Sequence, residues 1–102
     1  MVAQQAFELD RLRQLVQAGQ MAQAYAYARE HRAAHEGETR FDLYYGIAAV
    51  DTGHLSEGVF ALERVLMVQP GNDRARLELA RGYFLLGEDR RAREAFRTVL
   101  SH

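Results

Sequence analysis

TRFDLYYGIAAVDTGHLSEGVFALERVLMVQPGN, residues Thr39 to Asn72, decides how this chain folds. It holds two short amphipathic patterns, a glycine between them and a Pro-Gly-Asn turn at its end. Moved forward by its own thirty-four residues, it sets Leu43 on Leu77, Gly53 on Gly87, Ala61 on Ala95, Val65 on Val99 and Leu66 on Leu100. Moved back by the same step, it sets Leu43 on Leu9 and Gly53 on Gly19. A fixed period of this length marks stacked helical units, each of which buries its apolar face only against its neighbours. The expectation is an all-α chain of three antiparallel helix hairpins, about six helices in one domain spanning 1–102. The hairpins fall at about 5–38, 39–72 and 73–102, the first degenerate and the last truncated.

Working outward, Phe7 to Ala18 reads as a first helix with Phe7, Leu12, Leu15 and Val16 toward one side, ended by Gly19. Gln20 to about His35 reads as its partner, rich in alanine, with Tyr25 and Tyr27 filling the sides and Gly37 breaking the pattern. Thr39 has the character of an N-cap, and Asp42 three residues on resembles a capping box. In the second hairpin Tyr45, Gly46, Ala49 and Thr52 face Gly58, Leu62, Val65 and Leu66. Pro70-Gly71-Asn72 stops that hairpin and caps the next. The third repeats the scheme with Leu79, Ala80, Tyr83 and Leu86, then Gly87, then Ala92, Phe96, Val99 and Leu100.

Composition narrows the function. Aliphatic and aromatic residues make up 48% of the 102, enough for a core, and the net charge is −1. That balance argues against nucleic acid or an anionic membrane as a partner. No apolar run approaches the roughly 20 residues that span a bilayer, and MVAQQAF lacks the basic flank and apolar stretch of a secretory signal. Cysteine is absent, which removes disulfides and thiol chemistry. Lysine is absent too, since all 13 basic residues are arginine, which removes Schiff-base chemistry and the lysine of nucleotide loops. With Ser56 and Ser101 the only serines and no pocket evident around acids such as Glu88 and Asp89, no enzyme is expected.

The spacing resembles the tetratricopeptide repeat. Tyr45, Gly46, Ala49, Gly53, Gly58, Leu62, Val65 and Pro70 match its pattern in the second hairpin; Leu79, Ala80, Tyr83, Gly87, Ala92, Phe96 and Val99 match it in the third. The first hairpin keeps Leu15, Gly19, Ala24 and Ala28, but Leu12, His31 and Glu36 depart from it. Asp42 and Arg76 stand where the family's common tryptophan belongs. The resemblance implies a right-handed superhelical array whose first helices line a concave groove for a protein or peptide, with no cofactor. A finer resemblance links FDLYYGIAAVDTG, VFALERVLMVQP and ARLELARGYFLLGE to the helical-repeat segment of bacterial proteins similar to surface lipoprotein assembly modifiers. It implies a periplasmic fragment of a longer chain; otherwise a cytoplasmic module is expected.

Carried onto this chain, the groove positions are Leu9, Arg13, Val16 and Gln17, then Arg40, Leu43, Ile47, Val50 and Asp51, then Arg74, Leu77, Arg81, Phe84 and Leu85, with Tyr44 beside them. Their three-, four- and seven-residue steps put each set on one helix face. Leu9, Leu43 and Leu77 form an apolar row, and Arg13, Arg40, Arg74 and Arg81 surround it with donors suited to carboxylates. One reading is a groove for a peptide with apolar anchors and acidic neighbours. The other is that the leucines pack the hairpin edge and the arginines pair with Asp10, Asp51 and Glu78. The first is favoured because Phe84, Leu85, Tyr44 and Val50 add apolar surface beyond the needs of two-layer packing. The groove lacks the lysines and asparagine of the family's chaperone-tail clamp, with Leu9, Arg13, Tyr44, Arg74 and Glu78 at those positions.

Three further sets are weighed. His31 and His35 have metal-ligand spacing, but Arg32 follows the first and no third ligand is evident, so a solvated helix end and no metal are expected. His54 reads as a loop residue. Arg90, Arg91, Arg93 and Arg97 interleave with Glu88, Asp89 and Glu94, the pattern of an ordinary charged solvent face; a phosphate-binding role, which needs unpaired arginines, is the lesser reading. The last helix has no successor to cover its outer face, so continuation of the chain is expected, with self-association through that end as the consequence in isolation and as the alternative function.

Overall fold

The structure, a computed structural model, describes residues 6–101. Apolar residues at helical spacing, punctuated by glycines, build α1 (Leu9–Gln17), α2 (Met21–Glu30), α3 (Arg32–His35), α4 (Thr39–Asp51), α5 (Leu55–Val68), α6 (Asp73–Leu85) and α7 (Asp89–Leu100). Gly19, Gly53 and Gly87 close the first helix of each hairpin at φ of 76°, 87° and 83°, a left-handed conformation that costs glycine little. Asn72 Oδ1 accepts from the Ala75 amide at 3.0 Å and starts α6 as an N-cap. The first helices α1, α4 and α6 lie side by side, with α2, α5 and α7 each packed on its own partner. Stacking draws the molecule out to 52 × 24 × 23 Å. The fold is the expected helical array.

The middle hairpin forms the centre of the core. Phe41, Tyr45, Ile47, Ala48, Ala49, Val50, Ala61, Leu62 and Val65 are buried, and the flanking hairpins add Leu12, Val16, Ala24, Ala28, Ala75 and Leu79. Helices α4 and α5 approach so closely that a Cβ on Gly58 would lie 2.6 Å from Val50 Cγ2 and 2.9 Å from both the Gly46 carbonyl oxygen and the Val50 nitrogen. A Cβ on Gly46 would lie 2.7 Å from Leu62 Cγ. Small residues here are a packing requirement, as the sequence pattern implies.

Two expectations are corrected. The alanine-rich second helix does not run unbroken to His35. At His31 (φ −110°, ψ 8°) it tightens into an i→i−3 turn, the His31 amide donating to Ala28 O at 3.0 Å, and restarts as α3. The rings of His31 and His35 then turn onto Phe7, with centroids 5.1 and 4.4 Å away. Thr39 and Asp42 form no capping box. Thr39 is already helical, Glu38 takes the cap position without a side-chain bond, and Asp42 is almost fully buried. Its carboxylate accepts Arg64 Nε and Nη2, each at 3.0 Å, and the Gly37 amide at 3.2 Å. A buried carboxylate needs a bidentate partner, and Arg64 supplies it across the hairpin.

Gly58→Ala lowers stability by about 2–3 kcal/mol, because backbone atoms cannot step aside, and the gain in helix propensity of ~1 kcal/mol offsets only part of the clash. Gly46→Ala costs less, since it meets mainly a side chain. Thermal melts check the order, and an equal or larger loss for Gly46→Ala contradicts the packing described. Asp42→Ala removes the buried carboxylate but leaves Arg64 a third exposed and 3.5 Å from Glu36, so the midpoint falls by roughly 5 °C; a shift within ~2 °C would show that the pair contributes little.

Candidate interaction surface

Three of the residues that the family resemblance places in the groove are core. Val16, Ile47 and Val50 keep 3%, 2% and 1% of their surface exposed, because a first helix in a stack is flanked on both sides. Val50 is the clearest case, with its Cγ2 aimed at both Gly58 of α5 and Gly82 of α6. It adds nothing to the exposed apolar surface. The others remain accessible. Leu9, Leu43 and Tyr44 are half-buried against the core, while Leu77 is 43% exposed and Phe84 and Leu85 more so. Phe84 turns toward α7, where it lines a cavity with Asp89, Ala92, Arg93 and Phe96.

Three of the four arginines beside the leucine row are engaged with acids. Arg13 pairs with Asp10 at 3.2 Å and donates to Gln17 at 3.1 Å. Arg81 spans from α6 to Asp51 of α4 at 3.1 Å and stands 3.6 Å from Glu78, which Arg74 approaches at 4.0 Å. Arg40 has no hydrogen-bond or ion-pair partner among the described residues. Each guanidinium carries five donors, so these pairs leave donors toward solvent. Glu78 Oε2 is buried and accepts no hydrogen bond. The acids Asp10, Asp51 and Glu78 are thus the arginines' partners, and the surface is a mixed apolar and ionic strip.

On the second-helix side the structure assembles a cluster that no local pattern signals. Glu57 of α5 accepts from the Tyr25 hydroxyl, from Arg29 Nη1 at 2.5 Å and from Arg32 Nη1 at 3.3 Å. His54, exposed in the turn before α5 as expected of a loop residue, stacks on Tyr25 with centroids 3.8 Å apart and planes 8° from parallel. A cavity of about 170 Å³ beside this cluster is lined by Arg32, Glu36, Tyr45, Ser56, Glu57, Phe60 and Arg64. Burial alone would raise the Glu57 carboxyl, but the Tyr25 hydrogen bond and the Arg29 charge outweigh it and hold the group below the usual carboxylate range. Its groups satisfy one another, which makes the cluster a clamp between the first and second hairpins.

The histidines pack likewise. His31, His35, Phe7, Tyr27 and Phe41 form one aromatic cluster instead of the expected solvated helix end. No group of three or more potential metal ligands occurs among the described residues. None of their helices is long and apolar enough to cross a membrane. In α7 the charged residues face solvent, as expected. Arg90, Arg93 and Arg97 have no ion-pair partner among the described residues, and Arg91 lies 5.8 Å over the Tyr83 ring.

Tyr83 joins the second and third hairpins by donating to Glu63 at 2.6 Å. Burial first, then that hydrogen bond, pushes its phenol up to about 12. The proton is held more tightly in the folded chain than in the unfolded one, so this contribution to stability is complete below pH ~10 and fades as the pH rises toward 12. Ultraviolet titration of the parent and of Tyr83→Phe checks it. The parent shows one phenol ionising near pH 12 that the variant lacks, and an unchanged high-pH limb contradicts the assignment.

Compared with known families, residues 2–102 match the family described as protein kinase G tetratricopeptide repeat. No curated protein and no solved structure matches the chain. The match carries nothing on compartment, so the likeness to lipoprotein assembly modifiers, and the periplasmic setting it implies, rest on the quoted stretches alone.

Proposed function

Since the chain belongs to the protein kinase G tetratricopeptide repeat family, whose repeats are in general non-catalytic protein-interaction modules despite the family's kinase name, we propose that the face of α1, α4 and α6 binds an extended or helical peptide. The peptide carries apolar anchors for the row of Leu9, Leu43 and Leu77 and carboxylates for Arg13, Arg40, Arg74 and Arg81. The exposure of Leu77 beside Arg81 and Arg74 carries the reading, because the first helices have no covering layer on that side. A carboxylate can use the donors the internal pairs leave over. Leu77 and Tyr44 would supply most of the contact area, and the rim arginines orientation and rate of encounter.

Panning a random peptide library on the intact chain tests this. Selected sequences combine apolar residues three or four apart with Asp or Glu, and lose at least tenfold affinity for the double variant Leu77→Asp, Arg81→Glu. These positions are exposed and their ion pair is a surface one, so the variant should melt within a few degrees of the parent. Peptides that bind the variant as well as the parent, or a selection without acidic residues, would overturn the proposal.

A further inference from the structure

The cavity of about 170 Å³ on the second-helix side lies against the clamp around Glu57, yet most of its polar lining takes no part in that clamp. Tyr45, 1% exposed, lies beneath it, with Arg32 and Glu36 of the first hairpin on one side and Ser56, Phe60 and Arg64 of α5 on the other. Arg64 commits Nε and Nη2 to Asp42, and its Nη1 donates no hydrogen bond among the described residues. Arg32 gives Nη1 to Tyr45 and Glu57, while its Nε and Nη2 donate none. Glu36 accepts none either. It stands 3.5 Å from Arg64 Nη1 and 3.8 Å from Arg32 Nε, contacts of charge alone. The Ser56 hydroxyl has no hydrogen-bond partner among the described residues. Solvent reaches these groups, since the side chains of Arg32, Arg64 and Glu36 are 40%, 33% and 47% exposed.

The unused groups carry both signs within one small space. A lone anion drawn to Arg32 and Arg64 meets Glu36 and Glu57, and a lone cation drawn to the acids meets the two guanidiniums. A ligand with an anionic acceptor and a cationic donor side by side satisfies both. Peptide side chains and chain termini bring one charge at a time, whereas a free α-amino acid carries both on one carbon. Size agrees, because a cavity of about 150 Å³ takes a molecule such as benzene, and an ammonium, a carboxylate and the carbon between them are no larger. Phe60 lines the cavity and is still 60% exposed, so its ring is available to whatever extends beyond that head group.

We propose that this cavity binds a free α-amino acid with an apolar side chain. The ligand carboxylate accepts from Arg64 Nη1 and from the uncommitted nitrogens of Arg32, as guanidinium groups hold carboxylates elsewhere. The ammonium donates to Glu36 and to the Ser56 hydroxyl, and the side chain lies on the Phe60 ring. Asp42 keeps Arg64, and Glu57 keeps Tyr25 and Arg29, so neither internal contact has to break. Arg32 and Glu36 belong to the first hairpin and the other contacts to the second, so the ligand joins the same two units that Glu57 holds together.

Nuclear magnetic resonance titration of the full chain with L-leucine tests the assignment. A ligand this small binds with a Kd of about 1 mM, and amide shifts saturate at Arg32, Glu36, Ser56 and Phe60 while those of α1 and α6 stay in place. N-acetyl-L-leucine, which lacks the ammonium, and L-leucinamide, which lacks the carboxylate, bind at least tenfold more weakly. Glu36→Gln changes an exposed side chain whose ion contacts are long, so it melts within a few degrees of the parent. It weakens L-leucine at least tenfold but not N-acetyl-L-leucine, because the acid that repels a lone anion is gone. Phe60→Ala weakens L-leucine severalfold and leaves glycine unchanged. Shifts that fail to saturate by roughly 50 mM, or N-acetyl-L-leucine binding the parent as well as L-leucine does, overturn the proposal whatever the variants do. So do equal affinities of the parent and Glu36→Gln for L-leucine, and shifts that fall on the face of α1, α4 and α6 instead.

Discussion

Everything in this molecule depends on the contact of α4 with α5 at Gly46 and Gly58, where a glycine on each helix lets the two backbones close around Val50 and Leu62. The Gly46 carbonyl and the Val50 amide lie where a Cβ on Gly58 would fall. This closeness lets Val50 act as a shared wedge, touching Gly58 within its hairpin and Gly82 of the next. It also brings Tyr45, Ile47, Ala49, Leu62 and Val65 into one buried mass. Of the outer helices, α1 and α2 bury two residues each and α7 only Ala92 among its described residues, while α6 buries five where it rests on the middle hairpin. They are ordered by resting on the middle one, which is the behaviour of a stack whose stability is carried by neighbour contacts.

Polar interactions fix how the hairpins sit on one another. Asp42 with Arg64 locks the middle hairpin from within, since a buried carboxylate tolerates only an arrangement that keeps its bidentate partner. Glu57 holds Tyr25 and Arg29 of the first hairpin, while Asp51 and Glu63 hold Arg81 and Tyr83 of the third. The same device therefore appears at both contacts: an acid of the middle hairpin receives donors from a neighbour. The third hairpin presents arginine and leucine where the second presents acids. That inversion gives the two ends of the molecule different chemistry.

The hairpins, their glycine turns and the Asn72 cap are legible in the sequence because each follows from spacing and from residues within one turn of one another. The small residues at Gly46 and Gly58 are legible too, because a period of thirty-four with fixed small positions has few other physical meanings. Lateral contacts are not. Periodicity orients a residue about its own helix axis, but whether Ile47 or Val50 then meets solvent or a neighbour depends on the stacking angle. Tyr25 and Glu57, or Asp42 and Arg64, are brought together across 32 and 22 residues by packing that no local pattern encodes. The bend at His31 has no glycine or proline to announce it and accompanies the packing of His31 and His35 on Phe7. In α7, acids and arginines at pairing distance along the helix stay apart, as exposed pairs gain little from closing.

Amide hydrogen exchange on the intact chain tests the dependence on the middle hairpin most directly. Protection should be greatest in residues 45–50 and 58–65, intermediate in α2 and α6, and least in α1 and α7, whose opening leaves the α4–α5 contact intact. Exchange in α7 as slow as in α5, or loss of α4 and α5 protection before that of the outer hairpins, would contradict a stack built on the Gly46–Gly58 contact.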